Sequence, residues 1–157
     1  MNVVWQELSS GWPSTEPLIR LAVRLLAAAF LGGLLGLERQ FEHKFAGIRT
    51  HTLVALGSAL FTAGPLLGGV SAEGVTRVIQ GITTGIGFVG GGTILKLTDR
   101  YEVRGLTTAA NIWLAAAVGV AAGAGWLVPA VVATVLALII LYTLARCERW
   151  LGLPQGR

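Results

Sequence analysis

The run GLTTAANIWLAAAVGVAAGAGWLVPAVVATVLALIILYTLA, residues 105–145, decides the fold class. It is 41 residues long and holds no Asp, Glu, Lys or Arg. A spanning helix needs about 20 apolar residues to cross a hydrocarbon core about 30 Å thick. At about 1.5 Å per residue, one continuous helix of this length would reach about 60 Å, so the run must fold back. The break reads at Gly123-Ala-Gly-Trp126, with Pro129 just beyond. Glycine closes one helix there, and proline sits in the first turn of the next.

Working outward, residues 50–72 and 78–95 are two more windows without charge, and residues 21–37 form a fifth apolar stretch with Arg24 near its start. Five helices follow, at about 20–37, 51–70, 78–96, 105–123 and 126–145. The predicted fold class is all-α: a polytopic membrane protein, a compact bundle of five transmembrane helices over residues 18–146. An extracytoplasmic or interfacial segment, 1–17, precedes the bundle, and a cytoplasmic tail, 147–157, follows it. The first stretch does not read as a signal peptide: Glu7 and Glu16 stand where a basic region would, and no small-residue cleavage site follows. Composition agrees, since only 13% of the 157 residues are charged and 54% are hydrophobic, against about 25% charged in a soluble domain. That balance leaves no basic face for nucleic acid. The single cysteine, Cys147, excludes an internal disulfide and any multi-cysteine metal site.

Loop charges give an orientation. Arg39, Lys44, Arg49, Lys96, Arg100, Arg104, Arg146, Arg149 and Arg157 fall on one side and Arg77 on the other. Basic loops stay in the cytoplasm, which predicts an outer N-terminus and a cytoplasmic C-terminus. Arg20 and Arg24 lie at the outer end and share a helix face. They read as snorkelling to the interface toward Glu16, the alternative being an outer anion or headgroup contact. Trp5, Trp12, Trp126 and Trp150 read as interfacial anchors.

Small residues mark where membrane helices meet. Gly32 and Gly36 on helix one, and Gly119 and Gly123 on helix four, have the small-xxx-small spacing and read as packing within the chain. Helix three carries Gly81, Gly85, Gly87, Gly90, Gly91 and Gly92 on two faces, beside Gln80 and Thr84. It is therefore expected at the centre of the bundle, with neighbours on both sides.

Polar residues within spans need partners. Those on helices two and four crowd toward the basic end. Together with the end of helix one they predict a cluster of Glu38, Arg39, Arg49, Thr50, His51, Arg104, Thr107, Thr108 and Asn111 at the cytoplasmic boundary. Its bland reading is hydrogen bonding between helices with Glu38 paired to an arginine. Its functional reading is a net-positive pocket for an anion or a partner segment. His51 reads as a structural hydrogen bonder, the alternative being a pH-responsive switch. No nucleophile–base–acid constellation, phosphate loop or metal-ligand spacing occurs, so no enzyme, cofactor or metal is expected. Hard divalent cations favour carboxylate oxygens. None lies inside predicted helices two to five, Glu38 is the one carboxylate at the cluster, and Asp99 and Glu102 share a loop with Arg100 and Arg104. A transporter for such a cation built from one copy is disfavoured; a pore in which several copies each give Glu38 stays open.

Gly36-Leu-Glu-Arg-Gln40, Ala46-Gly-Ile-Arg-Thr-His-Thr-Leu-Val54, Leu56-Gly-Ser-Ala-Leu-Phe61, Gly85-Ile-Gly-Phe-Val-Gly-Gly-Gly-Thr-Ile-Leu95 and Val103-Arg-Gly-Leu-Thr-Thr-Ala-Ala-Asn-Ile-Trp113 strongly resemble the MgtC/SapB family, in order, from Leu18 to about Ala145. The resemblance implies an inner-membrane protein of five helices with an outer N-terminus and an inner C-terminus. Many members continue into a cytoplasmic domain, whereas this chain stops at Arg157, so the likeness is to the membrane domain. It implies a regulatory role in adaptation to low magnesium, acid stress or virulence, exerted by binding a membrane complex such as the rotary ATP synthase. The alternative is a small oligomeric transporter or channel for magnesium, another ion or protons. Partners expected are the lipid bilayer and a second copy, most simply as a two-fold dimer.

Overall fold

The computed structural model describes residues 3–6, 15–97 and 102–152. Trp12, Asp99, Arg100 and Arg157 lie outside the described residues, and with them part of the expected anchors and of the loop after helix three. Five long helices appear: α1 (Thr15–Phe41), α2 (Ile48–Leu67), α3 (Ala72–Gly91), α4 (Leu106–Gly123) and α5 (Leu127–Trp150). Among the described residues, α1, α2, α4 and α5 are long and apolar enough to cross a membrane. The chain is thus an all-α polytopic bundle. The outer surface of α1 and α5 is apolar: Leu26 and Phe30 of α1 and Val132, Leu136 and Ile140 of α5 are all exposed, the pattern a bilayer requires.

The third helix departs from expectation at both ends. It starts at Ala72 because Ser71 caps it, its hydroxyl accepting from the Gly74 amide at 3.3 Å, with Glu73 in the first turn. It ends at Gly91, not near residue 96, because the Gly90-Gly91-Gly92 run lacks helix propensity. The chain then forms a short antiparallel hairpin, β1 (Leu95–Leu97) with β2 (Glu102–Arg104), pairing Leu95 with Arg104 and Leu97 with Glu102. Gly105 joins β2 to α4 at φ +92, and a side chain there would strike the Thr93 carbonyl. Only glycine meets both demands.

The core is built on α2. Ala55, fully buried, is gripped from both sides: a methyl at Gly32 of α1 would stand 2.5 Å from its Cβ, and one at Gly119 of α4 would run into its carbonyl. Gly123 meets the backbone of Ala59 in the same way one turn on, and Gly36 meets Ile48 and Gly47. Both small-xxx-small pairs therefore serve packing within the chain. Ala28, Leu35, Ala115, Val118 and Ala122 fill the space around this seam, and α5 closes it with Ala130 and Ala137. Two hydroxyls buried in this region are satisfied by their own helices: Thr62 donates to the Ser58 carbonyl and Thr134 to that of Ala130.

The expectation that α3 is central is corrected. It leans on α4 through Ile86 and through Gly90 against Ala109, and touches α2 little. Nothing lies within 4 Å of the Cβ positions of Gly81, Gly85, Gly87 and Gly91, so these glycines are not packed inside the chain. Gly92 ends the helix and meets only its own last turn. An apolar groove of about 490 Å³ is left between α2 and α3, lined by residues such as Leu53, Gly57, Phe61, Gly81 and Gly85.

At the end away from the hairpin, the two arginines part company. Arg20 pairs with Glu16 at 2.6 Å on the surface. Arg24 instead turns inward and donates to the Gly123 carbonyl at 3.1 Å. It thereby covers the C-terminus of α4, where Gly125 takes φ +87 in a Schellman turn, with Trp126 N–H bonded to Ala121 and Gly125 N–H to Ala122. Arg24 thus takes the Gly123 carbonyl as its partner, and Glu16 pairs with Arg20.

Candidate functional site

The polar residues gather at the hairpin end, hereafter the basic end. α1 ends there in a second Schellman turn, Lys44 N–H bonding to the Arg39 carbonyl and His43 N–H to that of Gln40. The left-handed position, usually glycine, is His43 at φ 55. The turn throws residues 42–47 across the start of α4. Gln40 spans the same corner, its side-chain oxygen accepting from the first amide of α2, Ile48, at 3.3 Å.

Two cavities open under this loop. The larger, about 440 Å³, is lined by Glu42, His43, Lys44 and Phe45 on one wall and by residues 103–108 on the other, among them Arg104, Thr107 and Thr108. The smaller, about 180 Å³, lies toward α5 between Arg39, Glu42, Lys44, Thr107 and Glu148. Glu42, Lys44 and Thr107 border both. The start of α4 has no side-chain cap, so its first amides add donors and a partial positive charge beside Thr107 and Thr108.

Below the cavities the groups are buried. Arg39 is almost wholly enclosed and forms a two-pronged ion pair with its neighbour Glu38. His51 is fully buried, with Nδ1 2.9 Å from the Gly47 carbonyl. A carbonyl only accepts, so Nδ1 carries the proton and the neutral ring leaves Nε2 as an acceptor. Nε2 of His51 and Nδ2 of Asn111 are both buried without a hydrogen-bond partner among the described residues. Asn111 stands one turn above Thr107 and Thr108 on α4, and a helical side chain leans back toward the N-terminus, here toward that turn.

Of the residues expected in the cluster, Arg104, Thr107 and Thr108 line the larger cavity, Arg39 the smaller, and Glu38, His51 and Asn111 lie near or below them. Arg49 is exposed and Thr50 half-buried, and neither lines either of these two cavities. The expected surplus of positive charge is corrected as well. Glu42 and Glu148 come to the cavities, and among the described residues they and Glu38 face Arg39, Lys44 and Arg104, three against three. The loop residues Glu42, His43 and Lys44 were not legible as site residues, because helical spacing carries no information about a turn. Lys44 and Glu42 did carry one signal: charge directly after an apolar span.

Comparison with known proteins agrees with this architecture. The chain is 49% identical to protein MgtC of Brucella abortus (strain 2308) over 126 residues, which is 80% of this chain and 51% of that protein. It is 41% identical to protein MgtC of Salmonella typhimurium (strain LT2) over 74% of this chain and 48% of the relative. It is 40% identical to protein SrpB of Synechococcus elongatus over 87% of this chain and 81% of the relative. The chain thus spans about half the length of the MgtC relatives it matches. No solved structure matches it. The family model for the MgtC family covers residues 25–150, which takes in α1 from its middle, the whole basic end and α5; the chain belongs to the MgtC family.

Proposed function

We propose that this protein regulates another complex of the bacterial inner membrane by binding it, and that it turns over no substrate of its own. In this reading the basic end faces the cytoplasm, α3 is a fifth span, and the cavities under residues 42–47 receive a segment of the partner. The family resemblance points to the rotary ATP synthase as that partner, and to low magnesium, acid stress or virulence as the setting.

The distribution of polarity carries the reading. The interior away from the basic end is closed by glycine and alanine at backbone contact, at Gly119 on Ala55 and Gly123 on Ala59. Its buried hydroxyls on Thr62 and Thr134 are turned onto their own helices. A seam packed this closely offers a hydrated ion no path. The buried polar groups with capacity to spare, on His51 and Asn111, sit in contrast at one end beside two cavities. The mixed charge of that end suits a polar protein segment better than a bare anion. A second reading, an ion path between several copies, draws on the polar residues that α3 turns outward.

The two readings part in a flux experiment. Purified protein in liposomes is expected to pass Mg²⁺ and protons no faster than empty liposomes. A sustained, protein-dependent flux that Glu38→Ala abolishes would establish the second reading instead.

A further inference from the structure

The outward face of α3 differs from every other lipid-side face of the bundle. Where α1 and α5 expose Phe30, Leu136 and Ile140, α3 exposes Glu73, Arg77, Gln80, Thr84, Gly87 and Gly91. These six follow one another at intervals of four, three, four, three and four residues. That is the spacing of a helix seam that meets another helix along its whole length. The Thr84 hydroxyl is satisfied by the Gln80 carbonyl at 2.9 Å, but the Gln80 amide is exposed and has no hydrogen-bond partner among the described residues. With α3 taken as a span, Gln80, eight residues into it and about 12 Å from its start, falls inside the hydrocarbon, where an unpaired amide is costly.

We propose that a second copy of this chain covers the stripe, in a parallel α3–α3 pair about a two-fold axis along the membrane normal. Copies inserted the same way bring like residues face to face across such an axis. The stripe suits itself in that arrangement. A glutamine amide both donates and accepts, so two Gln80 side chains satisfy each other. Glu73 and Arg77 lie one turn apart, so Arg77 of each copy reaches Glu73 of the other. Gly87 and Gly91, open on this face, let the two backbones approach. The inference rests on α3 crossing the membrane as proposed above.

The test uses the full chain in lipid vesicles, with Cys147→Ser removing the native thiol. Thr84→Cys and Gly87→Cys are expected to give disulfide-linked dimers on mild oxidation, while Phe30→Cys and Leu136→Cys stay monomeric. Gln80→Leu removes no contact inside the chain. It is expected to leave thermal unfolding unchanged and to weaken self-association in vesicles by about tenfold. Equal cross-linking at all four positions, only monomer, or cross-linking of the Thr84→Cys variant to an unlike protein in native membranes would each overturn the interface. Impermeant maleimide on Ser71→Cys and Thr93→Cys separates the two premises. Labelling from opposite sides without dimers overturns the interface alone, and labelling from one side overturns the span and the interface together.

Discussion

His43 carries a left-handed backbone that glycine would adopt freely. Its φ is set by the turn that lays residues 42–47 over the cavities. His43→Gly is therefore expected to raise stability by about 1 kcal/mol, read as a shift in the thermal unfolding of the detergent-solubilised protein. A fall in stability would mean that the imidazole makes contacts worth more than the strain. Arg24 and Arg20 provide a paired test at the other end. Arg24→Met removes the donor on the Gly123 carbonyl and is expected to cost about 1 kcal/mol. Arg20→Met removes an exposed pair and is expected to change nothing measurable. Their shared helix face concealed this difference: what separates them is the carbonyl that α4 brings up, a tertiary fact.

Among the elements, α2 is the one most tightly specified, because α1 and α4 reach its backbone through glycine. Gly119→Ala would drive a methyl into the Ala55 carbonyl, and is expected to cost about 1–3 kcal/mol as overpacking. Gly57→Ala, on the open side of the same helix with nothing within 4 Å, is expected to be neutral. Equal effects in an unfolding titration would refute the seam. These two intramolecular glycine pairs were legible in the sequence, because their spacing lies on one face and each helix had only one such face to offer. The place of α3 was not legible. Its glycines occupy two faces, and spacing alone cannot say which neighbour, if any, meets each. The hairpin of residues 95–97 and 102–104 was hidden for a related reason: the uncharged window runs on to Leu95, past the glycines that end the helix.

For the whole molecule, charge placement carried most of the information. Apolar windows located α1, α2, α4 and α5, since the bilayer punishes a misplaced charge more than any local preference can offset. The same rule named Glu38, Arg39, His51, Arg104 and Asn111 as residues of one end. It could not supply Glu42 and Glu148, which a turn and the far end of α5 bring to the cavities. Among the described residues, their arrival changes an expected net-positive pocket, for an anion or a partner segment, into a charge-balanced recess. In the function we propose, this recess binds a membrane partner. The direct measurement is co-purification of ATP synthase subunits with the full chain from native membranes, comparing the unaltered protein with Thr107→Trp, whose indole would fill the border between the two cavities. Thr107 is exposed, so the substitution is expected to leave thermal unfolding intact while the subunits are lost. Retention of the subunits by Thr107→Trp, or their absence from the unaltered protein, would contradict the account.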